Sequence, residues 1–280
     1  MSNVNSTSKK SIWFAILENY RSRGMPFSRL PNSTINQHLS INHDAELPAG
    51  YPDKLVLTIG DGGHQLSTDG GKSGFETLEA KRTNACLKNH MAFVARPIDN
   101  DLSDAERSLY CLRREEVHDG LTYAVYYGLY MEFTSQEPEI YTIEIIDGVE
   151  QTPVPFVATA AAYDGDMIQP TTDEVDIRNS KTIVVESPMT CEISKSIVSE
   201  IRNAYEVMNN TSVLPAISET GICTAFTSPK TVAVPSGTIT YNEVICCQIA
   251  NFISGIKILD TDEMEFSYDY SLVEPLRLEG

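Results

Sequence analysis

The sequence predicts an α+β fold: mostly antiparallel β-hairpins, two amphipathic helices in the C-terminal part and an extended N-terminal arm. Three observations carry this reading. From Leu121 onward the odd positions (Leu121, Tyr123, Val125, Tyr127, Leu129, Met131, Phe133) are all apolar or aromatic, the period-two pattern of a long strand with one buried face. Asp119-Gly120 and Asp147-Gly148 each follow a strand-like run, where a type I′ turn needs positive φ at two successive residues. Finally, apolar residues recur at helical spacing in two stretches beyond residue 190.

The elements follow in chain order. Residues 1–53 are rich in Ser, Asn, Pro and Gly and read as an arm with one short apolar segment, Ile12–Leu17, fit for a helix or a docking strand. Residues 54–160 read as a β-rich region. Lys54–Ile59 is a strand running into a glycine-rich loop from Gly60 to Gly74, and Ala92–Pro97 is a strand ended by proline. Ser103-Asp-Ala-Glu106 fits a capping box and predicts a short helix over 104–110. Cys111–Val117 pairs across Asp119-Gly120 with the strand from Leu121, and Ile140–Ile146 precedes the second hairpin turn. The polar stretch 157–180 is the candidate domain boundary, with a single domain as the alternative.

Residues 181–280 read as an α/β region. Lys181–Glu186 is a strand. Ile193, Ile197, Val198, Ile201, Tyr205 and Met208 form the stripe of a helix ending near Asn209-Asn210. Thr240-Tyr-Asn-Glu243 fits a second capping box, and Tyr241, Val244, Ile245, Gln248, Ile249, Phe252 and Ile253 continue it as a helix stopped by Gly255. Phe266, Tyr268 and Tyr270 alternate with polar residues in a last strand.

Charge narrows the function. The chain carries 39 acids against 21 bases, a net charge of −18 over 280 residues, which opposes nucleic-acid binding because phosphate contacts need a basic face. The first thirty residues are the exception, holding Lys9, Lys10, Arg21, Arg23 and Arg29 against the single acid Glu18. They form either a solvated arm or one that docks on an acidic neighbour. With one apolar segment and no private core, Trp13 and Phe14 become candidate anchors for a neighbour's pocket, and Arg21, Arg23 and Arg29 candidate partners for its carboxylates. The segment Ser11–Leu17 is too short to span a bilayer and lacks a cleavage site, so no membrane is expected and the chain is expected to stay in the cytoplasm where it is made. Its six cysteines show no Cys-x-x-Cys spacing and read as small buried hydrophobes, with Cys246 and Cys247 adjacent in the second helix.

No catalytic pattern in the sequence is complete. Asp69-Gly-Gly-Lys-Ser-Gly74 lacks the glycine five positions ahead that a phosphate loop needs, since Leu66 stands there, so Gly60–Gly74 reads as a mobile surface loop. Asp99-Asn-Asp101 with Asp104 and Glu106 lacks the glycine and terminal Glu of a calcium loop and reads as acids at a helix start. Arg113-Arg114 beside Glu115-Glu116 read as charge pairs on a solvated face. His38, His43, His64, His90 and His118 form no zinc-hydrolase pattern, and no Gly-x-Ser-x-Gly elbow occurs. The expectation is a chain without catalytic, cofactor or metal residues.

Several stretches resemble virion structural proteins of giant-genome (jumbo) tailed bacteriophages. They are Tyr20-Arg-Ser-Arg-Gly-Met-Pro-Phe-Ser-Arg-Leu-Pro31, Ile59-Gly-Asp-Gly-Gly-His64, Cys86 through Phe93-Val-Ala-Arg-Pro97, Asp101-Leu-Ser-Asp-Ala-Glu-Arg107 to Arg113-Arg114, Ser218-Glu-Thr-Gly-Ile-Cys-Thr224 and Thr240–Ser254. The resemblance implies a non-enzymatic component of the tail, neck or baseplate, located in the virion after synthesis in the host cytoplasm. Such a component would assemble with itself, as a ring or wedge, and with other virion proteins. Two other classes compete: a host-surface or carbohydrate-binding module using the thirteen tyrosines, and a cell-wall hydrolase using a carboxylate pair.

Overall fold

The computed structural model describes residues 7–25, 42–67, 74–131, 139–157, 180–234, 237–261 and 266–277. Strands dominate, with three α-helices among the described residues. The expected α+β class holds in that broad sense. The chain divides into two units, each built from two stretches of sequence: Met1–Glu132 with Ile193–Phe266, and Phe133–Glu192 with Ser267–Gly280. This division departs from the expected order of arm, β region and α/β region, because both units are closed by residues from the C-terminal part.

The first unit starts with strand β1 (Thr7–Lys10) and helix α1 (Ile12–Ser22). Strand β2 (Lys54–Gly60) leads into the hairpin of β3 (His64–Ser67) and β4 (Gly74–Thr77). Strands β5 (His90–Met91) and β6 (Val94–Pro97) come next, then one 3-10 turn (Ile98–Asn100) and helix α2 (Asp104–Arg107). The hairpin of β7 (Tyr110–His118) and β8 (Leu121–Met131) ends the first stretch. The second unit takes β9 (Glu139–Ile146), β10 (Val149–Glu150), β11 (Val154–Pro155) and β12 (Ser180–Ile193). The chain returns to the first unit for helix α3 (Lys195–Asn209), β13 (Ala216–Val234) and β14 (Gly237–Ile258), and β15 (Phe266–Arg277) completes the second.

In the first unit the path β1-β14-β13-β2-β8-β6 forms one sheet, with β5 on β2 and β7 on β8. In the second, β10-β9-β12-β15 form a smaller sheet with β11 on β9. Local chemistry explains the hairpins. Asp119 and Gly120 have φ of 49° and 78°, and Asp147 and Gly148 have 52° and 78°, so both expected type I′ turns form. The capping box is present as well: the Ser103 hydroxyl accepts the Glu106 N–H and the Glu106 carboxylate accepts the Ser103 N–H. Helix α3 buries Val198, Ile201 and Ala204, with Ala204 packed among Ala92, Ala95 and Val125, and Asn210 ends it in the left-handed conformation at φ 46°.

Three expectations fail. The helix over 240–254 is instead the inner strand β14, paired with β1 on one edge and β13 on the other. Its Ile245, Cys246 and Ala250 pack on α1, while Val244, Ile249 and Phe252 pack in a second cluster, so both faces are apolar. A strand covered on both faces loses its alternation, and a bulge that puts Cys246 at φ 56° breaks the remaining period. The abundance of Thr, Ile and Val from Thr238 to Ile258 is the chemistry of a strand.

The single buried face expected of β8 also fails. Ala124, Tyr126 and Gly128 are as buried as Val125, Leu129 and Met131, since α3 covers one face and core side chains the other. Nor are residues 7–25 a detached arm: β1 adds an edge strand to β14, and α1 lies on the sheet. The connector 158–179 and the loop residues Lys72 and Ser73 lie outside the described residues.

Candidate functional site

The proposed anchors sit in the protein's own core. Ser11 caps α1 by accepting the Phe14 N–H at 3.2 Å, and its hydroxyl donates to the Ile249 carbonyl at 2.6 Å, which pins the helix start to β14. Two residues on, Trp13 is 7% exposed; it packs with Leu17, Ala45, Phe226 and Ile245, and its indole N–H donates to Thr224 Oγ1 at 2.8 Å. Phe14 is half-buried beside the same cluster, with the Lys10 ammonium 4.8 Å above its ring. Arg21 lies 3.8 Å from Glu18 on the exposed face of α1, Arg23 is exposed at the helix end, and Arg29 lies outside the described residues. The structure therefore separates the expected anchors, turned onto β14, from the exposed arginines.

The surface that stands open is the far end of the β13–β14 hairpin. β13 pairs with β2 only from Glu219 to Ala225, and β14 pairs with β1 only from Asn251 to Ser254. From Ser228↔Glu243 to Val234↔Gly237 the two strands pair only with each other among the described residues. Along this ribbon Lys230 reaches Glu243 at 3.3 Å and Thr231 hydrogen-bonds Thr240 at 3.1 Å. At about 3.4 Å per residue the unpaired length is roughly 20 Å.

A buried polar network occupies the outer end of the β6–β7–β8 layer. Asp101 Oδ2 accepts from Arg113 Nη2 at 2.8 Å, Arg113 Nε at 3.1 Å and Arg107 Nη2 at 2.9 Å, and Oδ1 accepts from the Tyr126 hydroxyl at 2.6 Å and the Leu102 N–H at 2.7 Å. Burial alone would raise the Asp101 pKa, but the Tyr126, Arg113 and Leu102 hydrogen bonds outweigh it and hold the carboxyl below its ordinary range. Arg113, 7% exposed, also holds Glu115 at 2.9 Å. The expected solvated charge pairs are thus corrected at Arg113, whose partner is the acid read earlier as a helix-start charge. Only Arg114, exposed and 3.8 Å from Glu116, fits the surface reading.

The glycine-rich segment is corrected too, over its described part. A Cβ on Gly60 would stand 2.2 Å from the Asn89 carbonyl, and one on Gly63 would stand 2.5 Å from the Ser218 carbonyl. These glycines allow close backbone packing, and the Gly63 N–H donates to Ser218 Oγ at 3.0 Å. The buried Glu219 carboxylate then accepts the N–H groups of Lys88 at 3.0 Å and Asn89 at 2.8 Å. Gly60–Gly63 form a packed junction and not a mobile loop.

The last feature had no signal in the sequence. Cys111 on β7, Cys223 on β13 and Cys247 on β14 converge at a cavity of about 320 Å³ whose wall includes Thr58, Cys86, His90, Arg114 and Tyr127. Cys111 and Cys223 are buried, Cys247 is half-buried, Cys86 is exposed, and all six cysteines are free. The Cys111 thiol points to the Tyr127 carbonyl at 3.7 Å, and Cys223 Sγ is 4.0 Å from Thr58 Oγ1. The neighbouring Cys111 and Cys223 side chains, with a smaller pull from His90, hold Cys247 below the usual thiol range. The same contacts and burial push Cys111 and Cys223 up. Among the described residues no group of three or more His, Cys, Asp or Glu side chains is placed to hold a metal ion. Sequence reading missed the cluster because its members lie on three strands far apart in the chain.

No helix among the described residues is long and apolar enough to cross a membrane. No curated protein and no solved structure matches the chain. A family model described as "Family of unknown function (DUF7208)" matches residues 1–279. With the match running over nearly the whole sequence, the chain belongs to that family.

Proposed function

We propose that this chain is a non-enzymatic structural component of a multi-copy particle, and that the free end of the β13–β14 ribbon is where one copy joins the next. The observation that carries this reading is the ribbon itself. A two-stranded hairpin is marginally stable alone in water, and its outer edges offer rows of backbone donors and acceptors to an added strand. The ribbon between Ser228 and Glu243 has no third strand on either side among the described residues. A second copy of the chain supplies one. The kind of particle follows from the resemblance of the segments quoted above to virion structural proteins of giant-genome tailed bacteriophages, which favours the tail, neck or baseplate and further virion proteins as neighbours. The carbohydrate-binding alternative loses support at β8, where Tyr126 is buried and the Tyr126 and Tyr127 hydroxyls are engaged by Asp101 and Glu116.

The test replaces residues 231–240 with Asn-Gly, which keeps the Lys230–Glu243 pair and closes the hairpin two residues after Lys230. Light scattering coupled to a sizing column should show defined multimers for the parent chain and a folded monomer for the variant. Multimers of unchanged size in the variant would remove the ribbon from the interface. Mass spectrometry of purified phage particles, counting copies per virion, tests the particle assignment separately.

A further inference from the structure

We propose that the cavity between β7, β13 and β14 is a thiol-modification site, in which Cys247 undergoes thiol–disulfide exchange with a small soluble disulfide of the glutathione class. The argument begins with placement. Three sulfurs from three strands meet at one wall of a cavity of about 320 Å³, within the roughly 300–1,000 Å³ range of small-molecule sites. Cys247 alone of the three is half-buried; Cys111 and Cys223 lie behind it in the core. The adjacent Cys246 is turned away by the bulge and packs under α1, so the Cys246-Cys247 pair sends one sulfur to each side of the sheet.

A thiol attacks as its thiolate, and the thiolate needs donors when water is displaced. Here the Cys111 and Cys223 side chains beside it lower the Cys247 pKa, and His90 lies on the same wall. Arg114 at the wall offers a cation to a carboxylate of the incoming molecule. In the exchange the Cys247 sulfur attacks one sulfur of the small disulfide and forms a new S–S bond. The original S–S bond breaks, and the departing half leaves as a thiolate that takes a proton from water. No net oxidant beyond the small disulfide is needed. Cys111 and Cys223 keep their protons and act as positioning residues, so the product is a mixed disulfide and not an internal one.

The experiment uses the folded full-length protein, oxidised glutathione as the probe, and peptide mass mapping as the readout. Cys247 should acquire the adduct at least about tenfold faster than the more exposed Cys86, and should keep its rate as pH is lowered below the usual thiol range. Replacing Cys111 and Cys223 together with Ala should slow the Cys247 rate while circular dichroism confirms the fold. If the double variant does not fold, the pH profile of the parent chain decides. Preferential modification of Cys86, or modification of Cys247 only in denaturant, would overturn the proposal.

Discussion

The indole N–H of Trp13 donates a 2.8 Å hydrogen bond to Oγ1 of Thr224, joining residues 211 positions apart. The bond fixes α1 on the sheet, and the ring fills the space between α1, β13 and β14. Trp13→Ala should cost about 3–5 kcal/mol in urea unfolding, because the buried ring leaves a cavity. Trp13→Phe keeps most of the apolar contact, removes the donor and should cost about 1–2 kcal/mol. Removing residues 1–30 takes away this ring, Leu17 and the edge strand β1, so the truncated chain should lose stability as well as any assembly function. A truncated chain that melts like the parent would show that α1 contributes nothing to the core.

Asp101 gives the pH dependence. Its folded-state pKa is held below the ordinary value of 3.8, so the stabilisation is complete above the unfolded carboxylate's range and is lost as pH falls through the folded value. Asp101→Asn leaves the Arg113 guanidinium, 7% exposed, without its main carboxylate. The variant should lose about 3–5 kcal/mol at neutral pH, and its acid-unfolding curve should be flatter than the parent's below about pH 4. Parallel acid titrations followed by tryptophan fluorescence read both effects.

Two glycines separate backbone strain from crowding. Gly120 has φ of 78° and open space around an added Cβ, so Gly120→Ala should cost only about 1 kcal/mol. Gly128 has φ of 68°, and its added Cβ would lie 2.4 Å from Cys111 Sγ and 2.9 Å from Val56 Cγ1. Gly128→Ala should therefore cost about 3 kcal/mol and disturb the wall of the thiol cavity. Equal melting temperatures for the two variants would contradict the packing around Gly128.

The hairpin turns, α2 and α3 were legible in the sequence because each is specified within a few residues: Asp-Gly pairs, a Ser-x-x-Glu box, and an apolar stripe closed by Asn210. β14 was not. Its apolar residues at 244, 245, 249 and 252 suit helical spacing, yet those positions face two different clusters on opposite sides of a sheet. Thr240 and Glu243 resemble a cap but pair across the ribbon with Thr231 and Ser228. Composition favoured strand there, and periodicity outweighed it. The Asp101 network and the thiol cluster were invisible for a different reason. Both join residues that meet only after distant strands pair, and single-sequence spacing carries no record of such meetings.

The division of the first unit into two stretches has a consequence during translation. β2 lies between β8 and β13 in the sheet, and the β2–β13 corner is tied by the Gly63 N–H and Ser218 Oγ, 155 positions apart. A ribosome adding roughly 5–20 residues per second needs about 8–30 s to make that span. For that time the nascent β2, with Val56, Leu57 and Ile59 destined for full burial, has one edge without its strand. On a crowded polysome the β13 of an older sibling chain is the nearest competitor for that edge, an exchange that yields domain-swapped chains. Codon speed across residues 133–216 is thus a handle on the yield of correctly closed protein.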